Sequence, residues 1–317
     1  MNRVLLLWPS LYCRFYLPNL SLRSSRVQYR RWCHSAAQVI PRTPIGLVPS
    51  SARARIHMPN ILVVGATRGL GAALVSYYAS QPSTTVYATS RSSSPPSHSD
   101  NADNVHWLTD IDLMSPSCGI KLSSSLNSTP INTIYITAGY FATEDFSKGP
   151  DWDAEIKMYT TSSIAPVFII HSLFSSSILT KGAKIILVSS ESGSITLRHE
   201  QEGGGNFAHH GSKAALNMVG KQLSFDLKDK GIAVGMLHPS FMRTEMTKGV
   251  GFDKYWDAGG ALKPEEAAEI MAKWVDGTFG MHLTGQYWAP RGKRDIGNWN
   301  VVMGEDTGKS GPVQLPW

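Results

Sequence analysis

From Asn60 onward, short apolar runs alternate with longer helical stretches, and this alternation restricts the fold more than any other feature of the chain. The runs "ILVVGA", "INTIYITAG", "AKIILVSS" and "IAVGMLHP" are almost continuously apolar, as strands are when both faces of their sheet are covered. Stretches such as "GLGAALVSYYASQ" and "KPEEAAEIMAKWV" separate the strands. We therefore predict an α/β fold, a Rossmann-type doubly wound parallel sheet of about seven strands with helices on both faces.

The charge of the chain is concentrated at its start. Residues 1–58 hold nine Arg and no Lys, Asp or Glu; without them, 30 − 9 = 21 basic residues face 24 acidic ones, so the net charge of +6 becomes −3. The remainder has no basic signature, which excludes nucleic acid as an expected partner. The longest early apolar run, "VLLLW", is too short to span a bilayer. We expect a soluble protein with a small-molecule partner.

Residues 1–58 are Arg- and Ser-rich, free of acids and interrupted by Pro. This composition is typical of a mitochondrial transit peptide. The alternatives are that residues 1–58 are a disordered upstream extension, or that translation starts at Met58 and the protein is cytoplasmic. In each case residues 1–58, as a disordered leader, are excluded from the fold, and we expect residues 59–317 to form a single domain.

A glycine-rich turn joins the first strand to the first helix. In "VVGATRGLG", Gly65, Gly69 and Gly71 allow a tight turn and a close approach of the backbone to a pyrophosphate, which meets the amides at the helix start beside Leu70. No Lys-Ser/Thr pair follows, which argues against a nucleoside-triphosphate loop. We predict that this turn binds a dinucleotide.

The end of the second strand bears on which dinucleotide is bound. An acidic residue there would bind the ribose hydroxyls and repel a 2′-phosphate, but "YATSR" has Arg91 and no acid. Arg68 in the glycine turn is a second cation able to reach that phosphate. We expect NADP(H) to be preferred over NAD(H); the alternative is that both are ordinary surface arginines.

Later motifs carry a family resemblance. "ITAG", "VSSESG", "SKAALNM" and "LHPSFMRTEM" follow the glycine turn in order. From Asn60 to about Ala289 the chain resembles the short-chain dehydrogenase/reductase family, and within it the branch of C-factor and sniffer-type carbonyl reductases. The resemblance implies an oxidoreductase that transfers a hydride between a nicotinamide and a carbonyl or alcohol substrate, and an assembly into homo-oligomers.

The same resemblance implies site residues. Ser190 and Lys213 match the catalytic serine and lysine of the family, while His209 stands where the family has its catalytic tyrosine. Residues that match cofactor contacts of the family are Asp112, Ala138, Gly139, Pro239, Met242 and Thr244, with Lys213 on the nicotinamide ribose.

Four substitutions depart from the family pattern, and they lie where the chemistry happens. Besides His209, Thr137 and Ser162 replace asparagines and Ser240 replaces a glycine. The segment between Ser190 and His209 is several residues longer than usual and includes "ITLRHEQEGGG". The residues that match cofactor contacts of the family are thus mostly retained, whereas the residues expected to transfer the proton are changed.

His209 precedes Lys213 by one helical turn, so we expect the lysine to lower the pKa of the imidazole. A neutral ring can still donate one N–H to a substrate oxygen while water relays the proton; Tyr140 and Tyr159 offer other hydroxyls. Two alternatives remain: a non-catalytic NADP(H)-binding protein, a sensor or partner, and a proton-transfer enzyme without net redox chemistry.

A lid is expected around residues 241–262, where Phe252, Tyr255 and Trp256 favour an apolar or aromatic substrate. The alternative is that these aromatic side chains pack on the core or on a second subunit. The histidines His199, His210 and His238 share no ligand spacing with a carboxylate, and the cysteines show no paired spacing, so no metal site is predicted.

Overall fold

One sheet organises the part of the chain that the structure describes, residues 59–97, 102–304 and 311–317 of a computed structural model. Its eight strands run in the order β3-β2-β1-β4-β5-β6-β7-β8. The first seven are parallel and β8 is antiparallel to β7. The strands are β1 (Asn60–Val64), β2 (Thr85–Thr89), β3 (Val105–Leu108), β4 (Ile131–Ile136), β5 (Leu179–Val188), β6 (Ala233–Leu237), β7 (Gln286–Ala289) and β8 (Val313–Gln314).

Helices cover both faces of this sheet. Leu62 and Val64 of β1 belong to the apolar cluster under α2, α4 and α5, whereas Ile61 and Val63 belong to the cluster under α1 and α7. The predicted doubly wound α/β fold is confirmed. The helices are α1 (Gly69–Ala79), α2 (Cys118–Ser125), α3 (Trp152–Tyr159), α4 (Ala165–Ser175), α5 (Phe207–Leu227), α6 (Glu245–Gly249), α7 (Pro264–Gly277) and α8 (Trp299–Met303), with a π-helical turn, Thr160–Ile164, between α3 and α4.

The strand order changes direction at β1. Strands β2 and β3 lie on one side of β1, whereas β4, the next strand along the chain, lies on its other side. Loops that leave neighbouring parallel strands in opposite directions open a crevice at the carboxyl ends of those strands. This switch point therefore places a ligand crevice at the ends of β1 and β4.

The two strand ends approach each other closely at this point. Gly65 has φ +90°, and a Cβ at this position would lie 2.7 Å from the Cα of Ala138. Thr137 Oγ1 donates to the carbonyls of Val64 (2.9 Å) and Gly65 (3.0 Å). Thr137, which replaces an asparagine of the family pattern, therefore connects the exit of β4 to the glycine turn.

The predicted leader, residues 1–58, lies outside the described residues. All described residues fall within one compact unit, Arg55–Trp317. Within the described ranges, no helix is both long enough and apolar enough to cross a bilayer.

Gly119 in α2 is a close-packed position, because a Cβ there would lie 2.7 Å from the carbonyl carbon of Phe168 in α4. We expect Gly119→Ala to lower the free energy of unfolding by about 1–3 kcal/mol through overpacking, although alanine favours helices. The matched control is Gly277→Ala in α7, where a Cβ would meet nothing within 4 Å; it should stabilise by up to about 1 kcal/mol. Urea unfolding measures both, and equal effects would contradict the close packing of α2 on α4.

Candidate functional site

A cavity of about 680 Å³ opens at the carboxyl ends of β1, β4, β5 and β6. It brings together most residues that the sequence predicts for the site. Arg91, Asp112 and Ala138 do not line it: Arg91 and Asp112 follow β2 and β3, and Ala138 lies against Gly65. The predicted residues that line the cavity are Gly65, Arg68, Gly69, Leu70, Gly71, Gly139, Ser190, His209, Lys213, Pro239, Met242 and Thr244.

One end of the cavity has the features of a phosphate site. Helix α1 begins at Gly69, and the side chain of Arg68 makes no capping bond there. A Cβ at Gly69 would meet only the side chain of Thr244, at 3.6 Å, and one at Gly139 only Lys213 Nζ, at 3.9 Å. Backbone amides at a helix start beside the exposed Arg68 fit the pyrophosphate of a dinucleotide.

Lys213, in the second turn of α5, presents a buried amine at the centre of the cavity. Its Nζ donates to the carbonyl of Val188, the last residue of β5, at 2.9 Å. Burial disfavours the ammonium and lowers the pKa of Lys213 to about 8. The amine thus has a fixed position and two further hydrogens to donate.

Ser190 lies directly after β5 on the same side of the cavity. Its Oγ accepts from the amide of Ser192 at 3.2 Å, and the hydroxyl hydrogen remains able to donate to a ligand. The Tyr287 hydroxyl donates to the Ser190 carbonyl, and Ser189 Oγ donates to Asn217 Oδ1 at 2.6 Å. These bonds hold the backbone around Ser190 in place.

His209 lies in the first turn of α5, and its ring stacks on Phe141 with ring centroids 4.0 Å apart and an interplanar angle of 28°. The pKa of His209 is lowered to about 3, first by burial and then by the charges of Lys213, His210 and Arg198. The sequence predicts the direction of this shift from Lys213. The main cause that the sequence suggests is wrong, because burial of the ring lowers the pKa of His209 more than the charge of Lys213 does.

The neutral His209 ring has a preferred tautomer. Nδ1 is buried and has no hydrogen-bond partner. A buried N–H without an acceptor is rarer in proteins than a buried acceptor without a donor, so we assign the proton to Nε2. The assignment leaves Nε2–H as the group that this residue can direct at a ligand in the cavity.

Only one of the two other candidate hydroxyls, those of Tyr140 and Tyr159, lies at the cavity. Tyr140 lines the cavity, and Lys157 Nζ lies 4.0 Å from the centroid of its ring. Tyr159 does not line the cavity, because its hydroxyl packs against Gly211 on another side of α5. Of the pair, only Tyr140 can contact a ligand there.

Aromatic side chains form a continuous wall from the helix to the predicted lid. Phe141 contacts Phe252 edge to face, with centroids 5.7 Å apart, and Phe252 contacts Tyr255 at 6.2 Å. Trp256 does not line the cavity; its Nε1 donates to Thr247 Oγ1 at 3.2 Å. Two of the three predicted aromatic residues thus line the site, and the third holds the 241–262 segment together.

Charged residues of the longer segment before His209 line the opposite side. Arg198 pairs with Glu191 and, at 3.1 Å, with Glu202, and both carboxylates line the cavity. In the sequence this segment is recognisable by its unusual length. The sequence does not show that its charged side chains line the cavity.

The histidines considered for a metal have other roles. His238 Nδ1 accepts from the amide of Glu191 at 3.0 Å, and burial lowers the pKa of His238. His199 Nδ1 accepts from the amide of Gln201 at 3.2 Å. In the described residues, no group of three His, Cys, Asp or Glu side chains is arranged to hold a metal ion.

The parallel sheet and the glycine turn at its switch point together define a protein of the Rossmann-fold class. The family model of the short chain dehydrogenases matches residues 59–254. The chain belongs to this family.

Known proteins similar to the chain include oxidoreductases. The chain is 27% identical to an uncharacterized oxidoreductase of Saccharomyces cerevisiae over 66% of this chain and 86% of that protein. It is 30% identical to 1-hydroxy-2-glutathionyl-2-methyl-3-butene dehydrogenase of a Rhodococcus species over 40% of this chain and 51% of that enzyme, so the match spans about half of the enzyme.

Solved structures share the fold. NADPH-bound carbonyl reductase from chicken fatty liver superposes with a TM-score of 0.61 at 22% identity, over 73% of this chain and 96% of the other. Carbonyl reductase Sniffer of Drosophila melanogaster gives 0.60 at 23% identity, over 74% and 97%.

The low pKa of His209 makes a prediction for acid stability. Its pKa is about 3 in the folded protein and 6.5 when unperturbed, so between these values the unfolded chain binds a proton that the folded chain does not. Above pH 6.5 the residue has no effect, and stability falls as the pH drops from 6.5 towards 3. We expect His209→Gln to remove part of this loss, at most about 1.4 kcal/mol per pH unit.

Urea unfolding at several pH values measures this slope, and the exposed His282 provides the control variant His282→Gln. An unchanged slope in His209→Gln would show that the ring is protonated in the folded protein.

Proposed function

We propose that this protein is an NADP(H)-dependent reductase that converts an apolar or aromatic carbonyl compound to an alcohol, or catalyses the reverse oxidation. The observation that carries the proposal is the cavity that Ser190, His209 and the buried amine of Lys213 share with the glycine turn. The volume of this cavity, about 680 Å³, is within the usual range of ligand pockets.

In the proposed function, the residues that match the cofactor contacts of the family would bind NADP(H). The amides at the start of α1 and the glycine turn would hold the pyrophosphate, and Arg68 and Arg91 the 2′-phosphate. Lys213 would hold the nicotinamide ribose, with Gly139, Pro239, Met242 and Thr244 around the ring and Asp112 and Ala138 near the adenosine side. When bound, the nicotinamide supplies or accepts the hydride.

The substrate half depends on hydrogen-bond donation. Ser190 Oγ–H and His209 Nε2–H would both donate to the carbonyl oxygen and stabilise the negative charge that develops there. At neutral pH the imidazole holds no second proton to transfer, because its pKa is about 3. The proton would therefore come from a donor other than the imidazole: in reduction water would supply it to the oxygen, and in oxidation water would accept it.

The aromatic wall supports the choice of substrate. Phe141, Phe252 and Tyr255 line the cavity beside His209. Flat apolar substrates gain dispersion and edge-to-face contacts with such rings. A carbonyl attached to an aromatic or extended apolar group would bury its body against this wall.

A second candidate is a protein that binds NADP(H) without turnover. It is favoured by one observation: Phe141 covers one face of the ring that replaces the catalytic tyrosine of the family. The cofactor half would be the same under both functions, so only a substrate assay separates them.

The test of the proposed function is oxidation of NADPH by the full chain with a panel of ketones, aldehydes and quinones. We expect turnover by the wild type and a loss of about 10²–10³ in kcat for His209→Ala, the cost of one oxyanion donor. His209→Gln, which retains an N–H donor, should lose less. Tight NADPH binding without turnover by the wild type, but with turnover by His209→Tyr, would support the non-catalytic function. Product formed without any change in NADPH absorbance would instead indicate proton transfer without redox chemistry.

The cofactor preference has its own test. Arg91 is exposed at the end of β2, where no acid stands. We expect Arg91→Asp to weaken NADPH binding by about 10–100-fold, the effect of losing one charged hydrogen bond, and to weaken NADH binding much less. Fluorescence titration measures both dissociation constants. Exposed Lys121 in α2, which does not line the cavity, gives the control Lys121→Asp. Equal losses for NADPH and NADH in Arg91→Asp would contradict a 2′-phosphate contact.

A further inference from the structure

Strands β7 and β8 form an antiparallel pair, but residues 290–312 separate them. Hairpin loops usually have about two to five residues, and a much longer connection in a compact domain commonly has a function. The described part of this β7–β8 connection (residues 290–312) holds a 3₁₀ turn, Lys293–Asp295, and helix α8. Arg294, Asp295, Gly297 and Asn298 from this connection line the cavity.

Asp295 is the anchor of this connection. Its side chain is 2% exposed, and its Oδ1 accepts from Arg291 Nη1 at 2.6 Å. Its Oδ2 accepts from the hydroxyl of Ser240, 55 positions earlier in the chain. Both oxygens of a buried carboxylate are thus used, one within the connection and one across to the exit of β6.

Ser240 is held in a conformation that serine rarely adopts. Its φ is +79°, in the left-handed region, and a glycine occupies this position in the family pattern. Such strain persists where surrounding contacts hold it, and it is concentrated at functional sites. Ser240 follows Pro239 and precedes Phe241 and Met242, all of which line the cavity.

A second contact fixes the far side of the connection. Asn298 Nδ2 donates to the Leu197 carbonyl and, at 3.1 Å, to Glu202 Oε1. The connection is therefore bonded on one side to the segment after β6 and on the other to the long segment before His209. Between these two contacts, Asp295, Gly297 and Asn298 line the cavity.

We propose that residues 291–299 of the β7–β8 connection form a wall of the substrate pocket and that Asp295 is the positioning residue that sets this wall against the segment 239–244. The inference rests on the proposed function, because it names which part of the chain determines substrate selectivity. Asp295 acts through its bonds to Ser240 and Arg291 and not by contact with reacting atoms.

The kinetic test uses Ser240→Gly and Asp295→Ala. Glycine tolerates the positive φ, so Ser240→Gly keeps the backbone conformation and removes the side chain with its hydroxyl. We expect KM for bulky ketones to rise about tenfold, as loss of a charged hydrogen bond implies, with less change in KM for a small ketone, in kcat and in the NADPH dissociation constant. Because both changes break the same bond, adding Ser240→Gly to Asp295→Ala should raise KM no further.

The control is Ser177→Gly, at another positive-φ serine (φ +58°) in the turn between α4 and β5, which should alter neither KM nor the selectivity between ketones. A role of Asp295 in stability alone would lower the unfolding temperature and leave the ratio of the two KM values unchanged, which would overturn the proposal.

Hydrogen exchange tests the same bond without a substrate. In Ser240→Gly we expect faster amide exchange both in residues 291–299 and in residues 239–244, with exchange in α1 unchanged. Faster exchange in only one of the two segments, or in neither, would overturn the positioning role. If exchange changes as expected but no ketone is turned over, the coupling is correct and the proposed reductase function fails.

Discussion

The close approach of Gly65 to Ala138 is the constraint on which the rest of the structure depends. Any side chain at Gly65 would overlap the backbone at the exit of β4, so β4 can pair with β1 only because the turn carries glycine there. This pairing creates the switch point of the sheet. The switch point in turn directs the start of α1, the exit of β4 and the exit of β5 towards one cavity.

Burial then sets the chemistry available in that cavity. The pKa values of His209 and Lys213 are both lowered because a charge loses its hydration there. In the proposed reaction, a neutral imidazole in place of a tyrosine would act by donating its N–H, together with the serine O–H, and water would supply the proton. Three of the carboxylates that line the cavity, those of Glu191, Glu202 and Asp295, are each paired with an arginine.

Much of the fold was predictable because its signals are local. Apolar runs predict buried parallel strands, and the strand–glycine–helix order predicts the turn that begins the dinucleotide crevice. Strand β8 was missed, since its two residues pair only through a partner beyond a long connection. The residue types at Ser190 and Lys213 could also be matched to the family, because the motifs that carry them lie at ends of regular elements.

Other features could not be predicted. Tyr140 and Tyr159 are equivalent candidates by composition, and only the fold turns one into the cavity and the other against Gly211. Similarly, Trp256 stands among lid aromatics in the chain but bonds within its own segment. Orientation about a helix or loop depends on neighbours that are distant in the chain.

By itself, the sequence determined the class of fold, the glycine turn and the positions of Ser190, His209 and Lys213, because these follow from patterns over a few neighbouring residues. The tertiary structure decided that the half-buried ring of His209 stacks on Phe141, that its burial lowers the pKa of the imidazole, and that Ser240 is bonded to Asp295 at the cavity. These properties arise where segments far apart in the chain meet at the carboxyl edge of the sheet. Burial and long-range hydrogen bonds depend on which segments pack together there, and a pattern of neighbouring residues does not specify this.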